Sequence, residues 1–410
     1  MDEPWDDGGM DFNPITYFAR TNYRGESKPF GIKQRDRLSH VYVIGKTGTG
    51  KSTLLETMML QDLENGIGFA LFDPHGDLVE RVMAQVPGHR REDVLYLDVA
   101  DRDCVWGYNP LEHVPTEKKS VAVSGLLEVF RKHWPDFWGP RLEHILRNAL
   151  FVLLDQPEAT LADVPRLFDD KAYRREAVLR TANAHVRDFW LKEYEGYPAR
   201  LRAEAIAPIQ NKVGAFLADP ILSRVLTQRR STFSWRQVID EGKVLLVNLA
   251  KGKIGEGNAS LLGSLLLSGV YVAALGRADQ PQEIRRDFIL YLDEFQSVAT
   301  PTLSSMLSEL RKFHVGMVLA HQFLSQIDPL IRDAILGNVG TLITFRVGLP
   351  DAEFLAKEFF PDFSPLDFTR LPNHEIYLRL MIDGRVSRGF SGEGFLFQIP
   401  AYSSTCLSAD

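Results

Sequence analysis

The chain has 410 residues, 45% of them hydrophobic, so it is long enough to bury a large core and to form two folded units. Its 47 Lys and Arg against 54 Asp and Glu give a formal net charge of -7. This excludes a protein that coats nucleic acid with a wholly basic surface, although a local basic channel stays compatible with it. Cys104 and Cys406 lie far apart and outside any C-x-x-C pair, which argues against a zinc site or disulfide framework and favours a reducing, cytosolic setting.

The N-terminal segment is acidic. It begins with MDEPWDDGGMDFNP, which lacks the charged-then-apolar pattern of a signal peptide. We expect a flexible arm over residues 1–29 and a folded core from residue 30.

From residue 40, short apolar runs alternate with helical stretches. This alternation indicates parallel strands joined by crossover helices, and the continuous apolar runs indicate strands covered on both faces. The predicted strands lie at 40–45, 68–73, 93–99, 243–249, 287–294, 316–321 and 341–347. The expected fold class is α/β, with a mainly parallel sheet flanked by helices.

The stretch GKTGTGKST follows the first of these strands and matches the phosphate-loop pattern G-x-x-x-x-G-K-[ST], with the helical pattern TLLETMMLQDL behind it. Its glycines let backbone N–H groups wrap a β-phosphate, and the helix start adds its dipole. Lys51 is expected to bridge β- and γ-phosphate oxygens, and the Ser52 hydroxyl to ligate Mg²⁺. The predicted nucleotide-binding residues are Gly45, Thr47, Gly48, Thr49, Gly50, Lys51, Ser52 and Thr53.

The second predicted strand runs into FDPHGDL, where Pro74 and Gly76 favour a turn. Asp73, His75 and Asp77 would then lie at the same sheet edge as the phosphate loop. Two interpretations stay open: Asp77 caps the next helix, or the turn contacts the nucleotide. A lone His75 is not expected to bind a metal.

Strand-like runs disappear between residues 112 and 235, where apolar residues take helical spacing, as in RLEHILRNALFVLLDQ. This predicts an all-helical domain inserted between the third and fourth strands. Residues 30–111 and 236–392 would then form the α/β domain. The Gly- and Ser-rich segment 393–410 is expected to be a mobile tail or a strand for a partner.

The segment Gly257–Gly276 is uncharged and long enough to span a bilayer. Ser260, Ser264 and Ser268, however, recur every fourth residue and give the helix a polar stripe suited to packing against protein. A crossing here would also separate the phosphate loop from the acidic strand end at Asp293. We therefore expect a buried core helix and no membrane span.

The run FILYLDEFQS places Asp293 and Glu294 at the end of an apolar strand. One carboxylate at such an edge faces Mg²⁺ and its waters, and the next can orient and deprotonate an attacking water. Asp293 is the predicted metal-side residue and Glu294 the predicted base.

Three further polar residues are candidates for sensing or stabilising phosphate charge. Gln322 follows the strand GMVLAH at the same edge; it is either a γ-phosphate sensor or a polar strand end satisfied by backbone. Arg311 ends the helix after the acidic strand and is either a finger reaching a neighbouring subunit or an ordinary helix-dipole partner. Arg346 is a second candidate for a role in trans.

These motifs together resemble the HerA/FtsK superfamily of hexameric DNA-pumping ATPases. The closest resemblance is to its branch of type IV secretion coupling proteins of the TraG/TraD type and their soluble relatives. GKTGTGKSTLL, FDPHGD, YNPL (108–111), LYLDEFQ, LSELRKF, LAHQF and GNVGTLITFRVG carry it, in matching order from about residue 30 to 390. The resemblance implies a RecA-like fold with an inserted all-α domain.

The same resemblance implies that Lys51 and Ser52 hold ATP and Mg²⁺, that Asp293 and Glu294 form the acidic pair, that Gln322 is the sensor and that Arg311 is the trans finger. Membrane-bound members carry N-terminal transmembrane helices, which this sequence does not show, so a cytoplasmic motor is expected. His321 stands before Gln322, where many relatives have a small polar residue.

Three hypotheses for function follow. The first is a hexameric, Mg²⁺-dependent ATPase that threads double-stranded DNA through its channel, with Lys251 and Lys253 in a flexible loop as phosphate contacts. The second is an ATPase whose cargo or partner is a protein, such as a nuclease, a relaxase, a secretion component or an effector. The third, a nucleotide-dependent scaffold, is disfavoured because a scaffold needs no catalytic carboxylate.

Overall fold

The computed structural model describes residues 13–23, 25–101, 106–112 and 114–397. The strands are β1 (Ile15–Arg20), β2 (Pro29–Lys33), β3 (Val41–Ile44), β4 (Gly68–Asp73), β5 (Val94–Asp98), β6 (Val244–Asn248), β7 (Phe288–Leu292), β8 (Val315–His321), β9 (Thr341–Thr344), β10 (Glu375–Arg379), β11 (Met381–Ile382), β12 (Arg385–Val386) and β13 (Phe390–Gly394). The helices are α1 (Gln34–Arg37), α2 (Lys51–Glu64), α3 (Asp77–Ala84), α4 (Lys119–His133), α5 (Pro140–Leu154), α6 (Asp163–Asp169), α7 (Lys171–Arg180), α8 (Ala184–Asp188), α9 (Ala199–Ala218), α10 (Pro220–Leu226), α11 (Trp235–Glu241), α12 (Lys251–Ile254), α13 (Glu256–Gly276), α14 (Thr302–Glu309), α15 (Pro329–Asn338), α16 (Leu349–Glu358) and α17 (Pro365–Arg370).

One 11-stranded sheet organises the molecule, in the order β2-β1-β13-β10-β9-β3-β8-β7-β4-β6-β5. The strands from β9 to β5 are parallel to one another. They are the seven strands that the continuous apolar runs predicted, and most are buried along their whole length, with β5 at the sheet edge partly exposed. The predicted α/β fold class with a mainly parallel sheet is therefore confirmed.

The remaining strands of this sheet are antiparallel and lie beyond β9. Here the expectation of a flexible arm is wrong, because β1 pairs with both β2 and β13 and buries Phe18 and Ala19 completely. The sheet also continues past residue 392, since β13 ends at Gly394. The expectations for residues 1–12 and 398–410, and for Cys104 and Cys406, concern residues outside the described ranges.

Between β5 and β6 the described residues form helices α4 to α11 and no strand. The chain segments that lead into and out of this region are joined, since Thr232 N–H donates to Gly107 O at 3.0 Å. The amide of Asn109 also donates to Ala159 O and Arg229 O. Because the helices share one apolar core with the sheet, the domain boundaries at residues 112 and 235 stay a prediction.

Helix α13 contains the uncharged segment that is long enough for a membrane span. Within the described part of the chain it is the one helical segment that passes such a test, yet 83% of its apolar window is buried inside the protein. Its serine stripe meets backbone, because Ser260 and Ser264 donate to the carbonyls of Ser297 and Val298. It is a core helix, as predicted.

A buried charged network joins four elements beneath α2. The Arg37 guanidinium, which is fully buried, donates to both Asp62 carboxylate oxygens, at 2.5 and 2.8 Å. It also donates to the hydroxyls of Thr16 on β1 and Tyr291 on β7. Tyr291 in turn donates to Asp62 at 2.6 Å. The network therefore ties the phosphate-loop helix to the strand that carries the acidic pair.

Asp62→Asn is expected to lower the free energy of unfolding by about 3 kcal/mol, because it leaves Arg37 as an uncompensated buried charge. The paired replacement Arg37→Met/Asp62→Leu should recover part of that loss. The measurement is urea unfolding of each variant. Asp188→Asn, which breaks an exposed pair with Lys192, is the control and should change little. An Asp62→Asn variant as stable as the natural chain would contradict this account.

Candidate active site

The phosphate loop, the acidic pair and Gln322 lie at one edge of the sheet. β3 lies between β8 and β9, and β7 follows β8, all in parallel register. The carboxyl ends of these strands therefore open on a common crevice. A cavity of about 480 Å³ occupies that edge and is lined by Thr47, Gly48, Gly50, Lys51, Ser52, Thr53, Asp73, His75, Asp77, Leu78, Arg81, Asp293, Glu294, Gln322 and His374.

The phosphate loop is fixed by backbone hydrogen bonds to its neighbours. Gly45 N–H donates to His321 O at 3.3 Å, and Lys46 N–H donates to Arg346 O at 2.9 Å. Gly50 has a φ of 119°, which a side chain would disfavour, and it begins α2 without any capping side chain. The first N–H groups of α2 thus stay available to an anion.

Lys51 is buried within the loop, where its ammonium donates to Gly45 O at 2.6 Å and to Lys46 O at 3.1 Å. Burial lowers the pKa of Lys51, while the charges of Glu294 and Asp293 oppose that shift. Thr49 is buried too and donates to Lys46 O at 2.7 Å. Of the predicted nucleotide-binding residues, Gly45 and Thr49 therefore shape the loop, whereas the other six line the cavity.

Asp293 and Glu294 are both only 8% exposed. Burial, followed by the charges of Asp73 and Glu294, raises the pKa of Asp293 to about 7. A raised carboxyl pKa shows that negative charge in this cluster is unfavourable, so a bound cation would be stabilised there. Glu294 has a left-handed backbone, with φ and ψ both 47°, a conformation that costs about 1–3 kcal/mol in a residue with a side chain. Surrounding contacts must therefore hold it.

Two glutamine amides hold the Glu294 carboxylate. Gln322 Nε2 donates to one oxygen at 2.6 Å, and Gln296 Nε2 donates to the other at 2.7 Å. Gln322 is thus satisfied by a side chain and not by backbone. His321 turns away into the core, where it stacks on Tyr42, and burial lowers its pKa to about 3. His321 therefore does not line the cavity, whereas Glu294 and Gln322 do.

The FDPHGD turn caps α3 and also lines the cavity. The cap of α3 comes from the Asp73 carboxylate, which accepts from Leu78 N–H and Val79 N–H, so the expectation that Asp77 provides it is wrong. Asp77 is the first residue of α3 and is free to face outwards instead. His75 and Asp77 are exposed and line the cavity.

The two arginine candidates lie at opposite edges of the sheet. Arg346 is beside its own phosphate loop, and its guanidinium donates to Leu371 O and to Asn373. Arg311 lies in the 3₁₀ turn Leu310–Phe313, just before the seven-residue strand β8, which spans about 20 Å. It is exposed, and among the described residues no acidic side chain pairs with it. Arg311 therefore cannot reach the cavity of its own chain.

Sequence reasoning missed Arg81 and His374, which also line the cavity. His374 has a φ of 68°, and its N–H donates to Thr49 O at 2.8 Å, which joins the antiparallel strands to the phosphate loop. Arg81 is held by Glu56 on α2. Neither residue belongs to a local motif, so only the folded chain brings them to the site.

The chemistry of these donors fits a nucleotide with Mg²⁺. In the described part of the chain, no group of three or more His, Cys, Asp or Glu side chains could hold a metal by itself. Mg²⁺ in such sites is usually held by one or two protein groups together with phosphate oxygens. Ser52 and Asp293, with a raised Asp293 pKa that a cation would relieve, meet that requirement.

A phosphate loop on one strand, an acidic pair two strands away and a glutamine on the strand between them define a RecA-like P-loop ATPase. A family model described as the type IV secretion-system coupling protein DNA-binding domain matches residues 29–357. The chain therefore belongs to the type IV secretion-system coupling protein family. No curated protein matches it.

Solved structures give the same fold. The bacterial conjugative coupling protein TrwBdeltaN70 has a TM-score of 0.64 and 16% identity, over 95% of this chain and 96% of that one. Plasmid coupling protein TrwB in complex with ADP and Mg²⁺ has the same TM-score and identity, over 95% and 97%. VirB4 of Thermoanaerobacter pseudethanolicus has a TM-score of 0.64 and 11% identity, over 96% and 99%. The fold class predicted from the sequence, including its RecA-like character, agrees with these structures.

Asp293→Asn is expected to stabilise the nucleotide-free protein at pH 8 by up to about 4 kcal/mol. The folded protein holds a proton on Asp293 that the unfolded chain releases, because the pKa rises from 3.8 to about 7. Stability should therefore fall between about pH 4 and 7, and the penalty is complete above pH 7. Urea unfolding at pH 5 and pH 8 measures it.

The control for this experiment is Glu204→Gln, which removes an exposed carboxylate on α9. Its effect should not differ between the two pH values. A wild-type chain whose stability follows the same pH dependence as Asp293→Asn would refute the assignment.

Proposed function

We propose that this chain hydrolyses ATP with Mg²⁺ in the cavity at the carboxyl edge of the sheet. The observation that carries the proposal is the arrangement of Lys51 opposite Asp293 and a Glu294 held by Gln322. TrwB has been solved with ADP and Mg²⁺ and with a non-hydrolysable ATP analogue, which supports the same ligands here.

Each residue has a role that its surroundings favour. The N–H groups of Gly48 to Lys51 and the Lys51 ammonium bind the phosphates, and Ser52 with Asp293 holds the metal. Mg²⁺, when bound, neutralises phosphate charge. Glu294 orients and deprotonates the attacking water, while Gln322, bonded to the same carboxylate, reports the state of the γ-phosphate to it.

The ATPase is proposed to work as a ring of six copies. Arg311 supports this idea, since it is exposed, unpaired among the described residues and about a strand's length from its own cavity. A guanidinium in that position can stabilise transferring phosphate only in a neighbouring subunit. Arg346 is tied to its own loop and is not assigned this role.

Glu294→Gln is expected to bind ATP normally but to lower kcat by about 100-fold or more. Arg311→Ala should lower kcat by about 1000-fold, and a mixture of the two variants should regain turnover because some interfaces then contain both intact groups. Steady-state ATPase assays of each variant and of mixtures measure this.

The matched control for Arg311 is Lys312→Ala. Lys312 is the exposed neighbour in the same turn, and its ammonium lies over the Phe313 ring, 5.0 Å from the centroid. It should retain turnover. Mixtures that regain nothing would remove the trans role of Arg311.

We propose double-stranded DNA as the polymer that the ring moves, in agreement with the DNA-binding description of the family. Lys251 and Lys253 lie on α12, one helical turn and not the flexible loop expected, at the same edge as the acidic pair. Neither forms an ion pair within the described ranges, so both ammonium groups are available to phosphates. Six copies would concentrate twelve such charges around a channel, although the net charge of each chain is -7.

Lys251→Ala/Lys253→Ala is expected to weaken double-stranded DNA binding. The slope of the logarithm of the binding constant against the logarithm of the salt concentration should become shallower by about 2. DNA should stimulate the ATPase activity of the natural chain and stimulate the variant less. Lys192→Ala/Lys357→Ala, which removes two exposed charges elsewhere, is the control. An ATPase that ignores double-stranded DNA at every salt concentration would refute DNA translocation.

A protein partner is the second candidate. The helical region exposes Leu179 and Leu191, at 63% and 49%, and Leu191 lines a shallow cavity with Trp190 and Arg175. Exposed leucines beside an aromatic ring and a guanidinium are typical of protein interfaces. Stimulation of the ATPase by a protein, with none by DNA, would favour this candidate. A cytoplasmic location remains a prediction for both.

A further inference from the structure

The turn that follows Glu294 is contacted by α4, the first long helix between β5 and β6. Lys132 Nζ donates to Ser297 O at 2.6 Å. Burial lowers the pKa of Lys132 to about 8. Within the described ranges no carboxylate forms an ion pair with this ammonium. A half-buried lysine whose hydrogen bond goes to a backbone carbonyl is costly to keep, so its place calls for a specific reason.

Two further side chains of α4 form hydrogen bonds around this turn. Thr302 Oγ1 donates to Glu128 at 2.5 Å, one helical turn before Lys132. His133 Nε2 lies 3.2 Å from the Ser260 hydroxyl, which itself donates to Ser297 O. Glu128 and Lys132 of α4 therefore hold the two ends of the segment from Ser297 to Thr302 directly, and His133 contributes through Ser260.

The position of α4 is also fixed on its other side. A Cβ on Gly125 would lie 2.4 Å from Ser268 Oγ on α13, so the two helices approach as closely as a glycine permits. Since α13 holds the same turn through Ser260 and Ser264, neither helix can shift without moving it. The helices and the turn form one rigid unit.

The turn passes this constraint to Glu294. Both the N–H and the hydroxyl of Ser297 donate to Glu294 O, at 3.0 and 2.9 Å. Gln296, between them, donates to the Glu294 carboxylate. Because Glu294 has a left-handed backbone, its carboxylate keeps its place only while this turn is held.

We infer that Lys132 is a positioning residue for Glu294: its ammonium fixes the Ser297 carbonyl, and through it the turn that aims the Glu294 carboxylate at the cavity. The helices between β5 and β6 thereby set the rate of the chemical step without contacting the nucleotide. This inference rests on the proposed role of Glu294 as the base.

Lys132→Met keeps an unbranched side chain, one atom shorter, and removes the donor. It is expected to lower kcat about tenfold, since small misplacements of a catalytic group are expensive, while KM and the affinity for a fluorescent ADP analogue stay within about twofold. In the Glu294→Gln background the same change should cause no further loss in single-turnover hydrolysis, because the base it positions is already gone. Arg131→Met, at the exposed adjacent position on α4, is the matched control and should leave all three values unchanged.

A merely structural role predicts a different pattern, in which thermal unfolding shifts and kcat loss is additive with Glu294→Gln. That pattern, or an unchanged kcat in Lys132→Met, would overturn the inference. Should Lys132→Met fail to fold, Lys132→Gln, whose side chain ends one bond short of the ammonium position, must show the same separation of kcat from affinity. Full turnover in Glu294→Gln alone would instead refute the proposed function on which the inference rests.

Discussion

The parallel register of β3, β8 and β7 is the constraint on which the site depends. Ile44 pairs with His321, and Leu292 pairs with Leu319, so the three strands reach the edge of the sheet side by side. All three are buried throughout, because helices cover both faces. A slip of one residue would turn the site residues to the wrong face of the sheet. The register set by core packing therefore brings the phosphate loop, Gln322 and the acidic pair within reach of one another.

The edge that this register creates carries an unbalanced charge. Asp73, Asp293 and Glu294 lie in one cavity with the ammonium of Lys51, and Asp73 is committed to capping α3. The raised pKa of Asp293 is the physical consequence. The electrostatic free energy of such a site is least favourable when no cation is bound, because a metal cation would relieve the repulsion between the carboxylates. Stability is thus partly given up for ligand affinity, as active sites commonly do.

The helices between β5 and β6 are part of the same mechanical unit as the sheet. They share one apolar core with it, and Trp235 stacks on Phe72 of β4 with ring centroids 6.1 Å apart. Polar contacts from α4 and α13 converge on the turn after Glu294. A ligand that moved these helices would therefore also displace the Glu294 carboxylate, since packed cores transmit strain. This continuity is also why no sharp domain boundary follows from the structure.

The sequence by itself determined the features that are local. Continuous apolar runs predict the parallel strands. Lys51, Asp293 and Glu294 belong to motifs only a few residues long. The antiparallel strands escaped because their residues alternate between core and solvent and mix with polar neighbours, as in ITYFAR of β1, whose Phe18 is buried beside exposed positions. Only the tertiary structure decided the place of His374 against the phosphate loop and the hydrogen bond from Lys132 to Ser297 O. Each joins residues that are far apart in the chain, and hydrogen bonds across such distances leave no periodicity or spacing in the sequence. The capping of α3 by Asp73 is local, but whether Asp73 or Asp77 provides it depends on how the turn folds.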